Sequence, residues 1–591
     1  MIISARYIVK KGIQYLQEKL SPHQFLIVSS ALVGITSGLA AVLLKYIVHT
    51  IEVWIQYYSG NINEFLFFAF LPIVGITLTV LFIRYALKGR FKKGSAEISY
   101  AIVKNSSVLP RSQMYSHLLT SAMTVGFGGS VGLESPMVST GSAIGSNYGR
   151  IHELSYREKT ILLACGAAAG IAAAFNSPIA GVLFAIEVLL ADASAAVFIP
   201  LIIAAASGAL VSKIILKEGV ILSFTLQQPF DSKNIPYYIL LGLIAGFVSL
   251  YYAKSFTWVE QKVKNINNTW MRVALGSIIL FALLIIFPPL YGEGYESIKV
   301  LASLEGKDLV TGSLIHKFFD SNTALLLFFG LLVVLKSVAA AVTIGTGGNG
   351  GSFGPSLFVG AYLGFLFARL INISGIAHIP EVNFALVAMA GILSGVFYAP
   401  LMAIFLIAEI TGGYALIIPL MIVAALSVTV ARYFEPLSME GKKLAQMLKL
   451  TVDDRDHYLL SKLTLSELIE TNFSTVNPDD TLQALVKIIS KSRRNIYPVT
   501  DENKHLVGLI HLDQVREVIF QTDSYDKLFV RDLMVEPEAI IHPEENLHDV
   551  LKKFEDTGLW NLPVVENKQY KGFLSKSNIL AKYREEQVRS A

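Results

Sequence analysis

Eight short apolar pieces of this chain are interrupted by Gly and Pro, near residues 114–128, 136–149, 159–175, 178–190, 355–372, 383–397, 400–410 and 413–432. Around them lie hydrophobic stretches of membrane-spanning length, near 25–52, 64–87, 193–215, 235–256, 270–290 and 321–343. A bilayer offers the backbone no hydrogen-bond partners. Interrupted helices therefore survive at membrane depth only where protein covers them or where they line a cavity. That requirement fixes the class as an all-α polytopic membrane domain with broken helices. Composition agrees, since 53% hydrophobic against 16% charged is too apolar for a soluble chain of 591 residues.

The broken pieces occur in matching places in two halves, the pattern that points to a transporter's binding site. Ala167-Ala-Ala-Gly-Ile-Ala-Ala-Ala-Phe-Asn-Ser-Pro178 runs parallel to Met389-Ala-Gly-Ile-Leu-Ser-Gly-Val-Phe-Tyr-Ala-Pro400. Phe175, Pro178 and Glu187 pair with Phe397, Pro400 and Glu409 at one constant offset. Upstream, Gly132-Leu-Glu-Ser-Pro136 pairs with Gly351-Ser-Phe-Gly-Pro355. The halves run over about 25–215 and 235–434.

Glu134 lies in the first of these loops, Gly129-Ser-Val-Gly-Leu-Glu-Ser-Pro136, with apolar or small residues far to both sides. A carboxylate at membrane depth is costly and is retained mostly for an ion or proton pathway. Pro136 suits the first turn of a helix, and the glycines free amides to face a ligand. A Glu beside helix-start amides reads as a negative group competing with an anion for that place. The plainer reading is a carboxylate that caps a helix. Lys336, inside an apolar helix, is expected to satisfy backbone carbonyls.

Nearly half of the charged residues fall in the last quarter of the chain, so a soluble part follows the membrane part. Val476-Asn-Pro-Asp-Asp-Thr-Leu482 and Ile541-His-Pro-Glu-Glu-Asn-Leu547 each open a unit of helix, two β-rich runs and helix. Such a tandem repeat packs as a pseudo-symmetric pair. At the other end, residues 1–24 read as an amphipathic helix at a cytoplasmic interface, with Lys10, Lys11 and Lys19 on it. Cys165 is the single cysteine, which excludes an intrachain disulfide. A net charge of +4 offers no argument for a nucleic-acid partner.

On these residues the membrane part resembles the CLC family of chloride channels and proton-coupled anion exchangers. Gly132-Leu-Glu-Ser-Pro136 stands for the family's G-x-E-G-P, and Gly351-Ser-Phe-Gly-Pro355 for its G-x-F-x-P. The Gly166 to Pro178 run ending in Ile186-Glu187 is a third match. The two C-terminal units are similar to tandem cystathionine-β-synthase (CBS) modules. The resemblance implies a CLC-like inverted repeat over 25–434, a linker over 435–463, and cytoplasmic α/β CBS domains over 464–525 and 526–591. It implies a homodimer in the lipid of the plasma (inner) membrane, with one anion pathway per subunit. Glu134 falls on the external gating glutamate, and the amides of Ser352 and Phe353 fall on the second-half anion-coordinating positions. Helix-start amides hold an anion while leaving it free to depart.

Three departures set the chain apart. Where the family has G-S-G-I-P-E, the ungapped alignment gives Lys92-Lys-Gly-Ser-Ala-Glu97. Lys93 then takes the central serine's place with Gly94 in register, while a short gap brings Ser95 there instead. Lys93 is read either as an anion ligand or as a cytoplasmic loop charge. The family's inner tyrosine falls on Glu440, read as facing Lys93 across the inner mouth or as a solvated linker residue. Proton-coupled relatives carry a second glutamate after the position of Glu187, and here Val188 stands there. Glu187 and Glu409 read as structural helix-end carboxylates. The CBS units lack the Asp that closes the family's ribose-binding motif, with His511-Leu-Asp-Gln514 and Ser575-Lys-Ser-Asn578 in its place. A structural pair is therefore expected, and no cofactor; adenine nucleotide is the alternative ligand.

The expected function is transport of a small inorganic anion, chloride by default, by a channel or a proton-coupled exchanger gated by Glu134. The altered inner site, with Lys93 or Ser95 and Glu440, keeps bicarbonate, nitrate and fluoride in view. A CBS-gated cation transporter would need clustered oxygen ligands, whereas the carboxylates here are isolated. A sensor without transport is the remaining rival. No metal or nucleophile set in the apolar region suggests an enzyme.

Overall fold

Gly and Pro set several of the helix ends in the membrane unit: Gly94 precedes one helix, Pro178 and Pro400 open two others, and left-handed Gly375 follows a fourth. The first eight are α1 (Pro22–Ser59), α2 (Glu64–Tyr85), α3 (Ser95–Lys104), α4 (Gln113–Gly126), α5 (Glu134–Ile151), α6 (Tyr156–Phe175), α7 (Pro178–Phe184) and α8 (Ala195–Leu216). The next eight are α9 (Ile235–Lys264), α10 (Thr269–Ile286), α11 (Tyr295–Ala302), α12 (Asn322–Thr346), α13 (Phe353–Ser374), α14 (Glu381–Phe397), α15 (Pro400–Ile410) and α16 (Ile417–Phe434). Among the described residues, nine helices are long and apolar enough to cross a membrane. The computed structural model describes residues 19–59, 64–190, 195–216, 229–302, 322–448, 465–492, 494–543, 545 and 547–582. It divides into two compact units at Met447/Leu448. Most of the expected N-terminal helix, and the linker from 449 to 463, lie outside the described residues.

The repeat shows in the packing. α5 packs on α6 as α13 packs on α14, α1 on α8 as α9 on α16, and α6 on α8 as α14 on α16. Small residues make these approaches possible. A Cβ added to Gly141 would lie 2.0 Å from the carbonyl oxygen of Gly166, and one on Gly364 would lie 2.1 Å from that of Phe384. In lipid, helices gain stability from such close backbone contact rather than from apolar burial alone.

The breaks are built alike in both halves. α6 and α14 end in left-handed residues, Asn176 (φ 54°) and Tyr398 (φ 59°), and Pro178 and Pro400 open the next helices. Glu187, on a wide π-type turn at Ala185–Leu189, accepts hydrogen bonds from the amides of Leu401 (3.1 Å) and Met402 (2.8 Å) at the start of α15. Glu409 accepts reciprocally from Ile179 (3.1 Å) and Ala180 (3.0 Å) at the start of α7. Each half thus caps a helix of the other with its own carboxylate, a structural role that offsets the orphaned amides and the positive helix end. Lys336 turns to the carbonyls of Leu290 (3.2 Å) and Gly292 (2.9 Å), as its lone charge in an apolar helix requires.

One expectation changes here. The polar connection after Phe434 is partly helical, as α17 (Met439–Leu448), an amphipathic piece whose Met439 is buried against the membrane core. In the second unit, helix Leu482–Lys491 precedes the antiparallel pair β1 (Ile496–Thr500) and β2 (Leu506–His511). Helix Leu547–Thr557 likewise precedes the antiparallel pair β3 (Asn561–Glu566) and β4 (Gln569–Ser575). Parallel bridges Val476–Val499 and Ile541–Val564 close each module identically.

Candidate functional site

The loops before α5 and α13 meet at the centre of the membrane unit and hydrogen-bond each other. Gly132 donates to the Gly351 carbonyl (2.9 Å), and Gly351 donates back to Gly132 (2.8 Å). This two-residue bridge sets the starts of α5 and α13 side by side, with their first amides lacking intrahelical acceptors. Ser352 caps α13 with its backbone, and Tyr252 donates to the Ser352 carbonyl (3.0 Å), which fixes the loop. Phe353 lies between Phe175 and Phe397, the repeat-related residues, with ring centroids 5.5 Å away on either side.

Glu134 is the first residue of α5 and is only 3% exposed. Its Oε1 accepts a hydrogen bond from the Tyr295 hydroxyl. Its Oε2 has no hydrogen-bond partner among the described residues, although the amides of Glu134 and Gly354 stand beside the carboxylate. Two glycines make the room. A Cβ on Gly132 would lie 2.0 Å from Oε2, and one on Gly354 would lie 3.1 Å from the Tyr295 hydroxyl. The carboxylate is therefore folded into the place where two helix starts converge, which is the place an anion would take.

Several residues of this region are absent from the sequence reading. Glu293 accepts from the amide of Leu133 (2.8 Å), the residue before Glu134. Lys45 donates to the carbonyls of Ala173 (3.0 Å) and Ala174 (2.6 Å) at the end of α6. Both line a cleft of about 2010 Å³, together with Tyr295, Phe175 and Glu52. The signal available for them was slight: one lysine in an apolar stretch, and Gly292-Glu-Gly-Tyr295, a glycine-spaced polar tetrapeptide between two spanning segments.

Around the start of α3 the charges sit differently from the expectation. Glu440 does not pair with Lys93. Its Oε2 accepts from the Ala96 amide (3.1 Å) in the first turn of α3, and its ion pair is with Lys443 at 3.8 Å. Lys443 also meets Glu260 (3.1 Å), which holds Lys264 (2.7 Å). Lys93 donates to the carbonyls of Gly347 (2.8 Å) and Gly348 (2.7 Å), in the loop that leads to α13. The physical reason is local. Gly94 caps α3 without a side chain, so a neighbouring carboxylate takes the vacant amide, while the carbonyls of a tight glycine loop need a cation. Ser95 is the first residue of α3, beside Gly94 and that carboxylate.

Comparison with known proteins places the chain by family and fold. The family model described as "Voltage gated chloride channel" matches residues 75–432, and the CBS domain model matches 465–521 and 530–585. A Ralstonia nicotianae protein described as chloride channel ClcB-like is 31% identical over 362 residues, 59% of this chain and 79% of that one. The Arabidopsis thaliana chloride channel protein CLC-f is 26% identical over 461 residues, 69% of this chain and 57% of that one. Among solved structures, a slow cyanobacterial Cl−/H+ antiporter superposes with TM-score 0.61 at 22% identity, covering 74% of this chain and all of the other. A eukaryotic CLC transporter also gives TM-score 0.61, at 19% identity over 94% of this chain and 97% of the other. A CLC-type fluoride/proton antiporter gives 0.57, at 23% identity over 71% of this chain and 97% of the other.

Proposed function

The chain belongs to the voltage gated chloride channel family, and from that premise we propose that it carries a small inorganic anion, chloride first, through a pathway gated by Glu134. The observation that carries this reading is the folded Glu134 carboxylate, held by Tyr295 where the starts of α5 and α13 converge. Ionised, it fills an anion's place. Protonated, it loses its claim on the helix-start amides and swings out, so an anion passes. The amides of Ser352 and Phe353 then face the anion, weakly enough to release it.

At the inner end, Glu440 on the Ala96 amide acts as a second internal anion, and Lys93, tied to two carbonyls, shapes the loop before α13. This altered inner end favours keeping a second reading open, in which the native anion is bicarbonate, nitrate or fluoride. The working unit is a homodimer with the CBS pair in the cytoplasm, and that pair is structural rather than a nucleotide sensor.

Anion flux from proteoliposomes with simultaneous pH recording tests the proposal. Flux with opposite proton movement makes the protein an exchanger; flux without it makes it a channel; no flux removes the transport reading. Glu134→Gln should mimic the protonated gate, giving flux with a flattened pH dependence. An unchanged pH response would take the gating role from Glu134.

A further inference from the structure

We propose that Glu293 is a second titratable group of the outer gate, whose charge sets the proton concentration at which Glu134 leaves the pathway. The inference rests on the reading of Glu134 as the gate. Glu134 is buried and is not among the residues lining the outer cleft, whereas Glu293 and Tyr295 line it and stand two residues apart on one segment. That segment touches the gate twice. Tyr295 donates to the Glu134 carboxylate, and Glu293 accepts from the amide of Leu133 immediately before it. Glu293 thus meets solvent on one side and the start of α5 on the other.

The charged and titratable groups facing Glu293 come from every element around it. Burial opposes its ionisation most, followed by Glu134 and Glu52, while the Leu133 amide and Lys45 favour it. Lys336, from α12, also interacts with it, as does Tyr295. Glu293 sits on the amide one residue before Glu134, and two carboxylates that act on each other resist ionising together, so a charge on Glu293 makes Glu134 easier to protonate. Glu293 is a positioning residue here: it acts on the anion only through Glu134.

Glu293→Gln separates this role from simple capping, because the amide oxygen still accepts from Leu133 while the charge is gone. In proteoliposomes of the full chain, flux against external pH should keep its maximum. Its midpoint should move to lower pH by about one unit, a tenfold rise in proton concentration. Glu293→Ala loses the cap as well as the charge and should show the same shift, so either neutral variant that reconstitutes decides the matter. The double variant with Glu134→Gln should show the flat profile of Glu134→Gln alone. A midpoint left at the wild-type value in a conducting neutral variant overturns the proposal and leaves Glu134 as gate. A Glu134→Gln protein with a normal pH profile instead overturns the gating reading, and this proposal with it.

Discussion

The hydroxyl of Tyr295 is the single side-chain donor to the Glu134 carboxylate among the described residues, and it favours the ionised, folded state of that group. A hydrogen bond to a charged acceptor contributes about 1.5–3 kcal/mol. Tyr295→Phe should therefore make Glu134 easier to protonate and move the flux midpoint to higher pH by about one unit or more. That is the opposite direction from Glu293→Gln, so the two variants, measured by flux against external pH, separate a lost donor from a lost charge. The sequence made Glu134 legible because a lone carboxylate among glycines at membrane depth has few structural uses. It left Tyr295 and Glu293 in the dark because they reach Glu134 and Leu133 from a segment some 160 residues further along. Lys93 and Glu440 were legible as unusual residues, but the pairing of one with the other that the sequence suggested does not form. A carbonyl or a helix amide competes for a charge as strongly as an opposite charge does, and backbone groups carry no mark in a sequence.

At the scale of helices, the close approaches of α5 on α6 and α13 on α14 depend on positions with no side chain at all. Gly141→Ala or Gly166→Ala would push a Cβ against the facing carbonyl, at 2.0 and 1.9 Å in the present geometry. We expect each to destabilise the protein by about 1–3 kcal/mol, the usual cost of overpacking. Gly413→Ala, where a Cβ meets nothing within 4 Å, should be nearly neutral. Thermal unfolding in detergent compares them directly. The repeat, its breaks and the Glu187 and Glu409 end-carboxylates were readable because period and offset survive in sequence. That these two carboxylates cross over, each capping the other half's helix, required the fold. So did α17, whose single deeply buried residue, Met439, is too sparse a pattern to announce a helix.

Over the whole membrane unit, carboxylates of the protein itself stand at two helix starts, Glu134 at that of α5 and Glu440 at that of α3, which the proposed pathway makes its outer and inner ends. In that proposal the inner one competes with any anion arriving from its side. Glu440→Gln keeps a hydrogen-bond acceptor for Ala96 but removes the charge. The anion concentration giving half-maximal flux from the inner side should then fall roughly threefold to tenfold, the range for one charge near a helix end. An unchanged concentration dependence would leave Glu440 as a cap for α3 and nothing more.

The bridge between Gly132 and Gly351 has a consequence for how such a molecule works. Many carriers expose their cargo to alternate sides by rocking one half against the other about a fixed midpoint. Here the halves are stitched together at that midpoint by a reciprocal pair of backbone bonds, with a further stitch where Glu187 and Glu409 cross. Rocking would tear the very loops from which α5 and α13 start. A stitched frame leaves only small parts free to move, and the work of opening falls to side chains a few ångströms long.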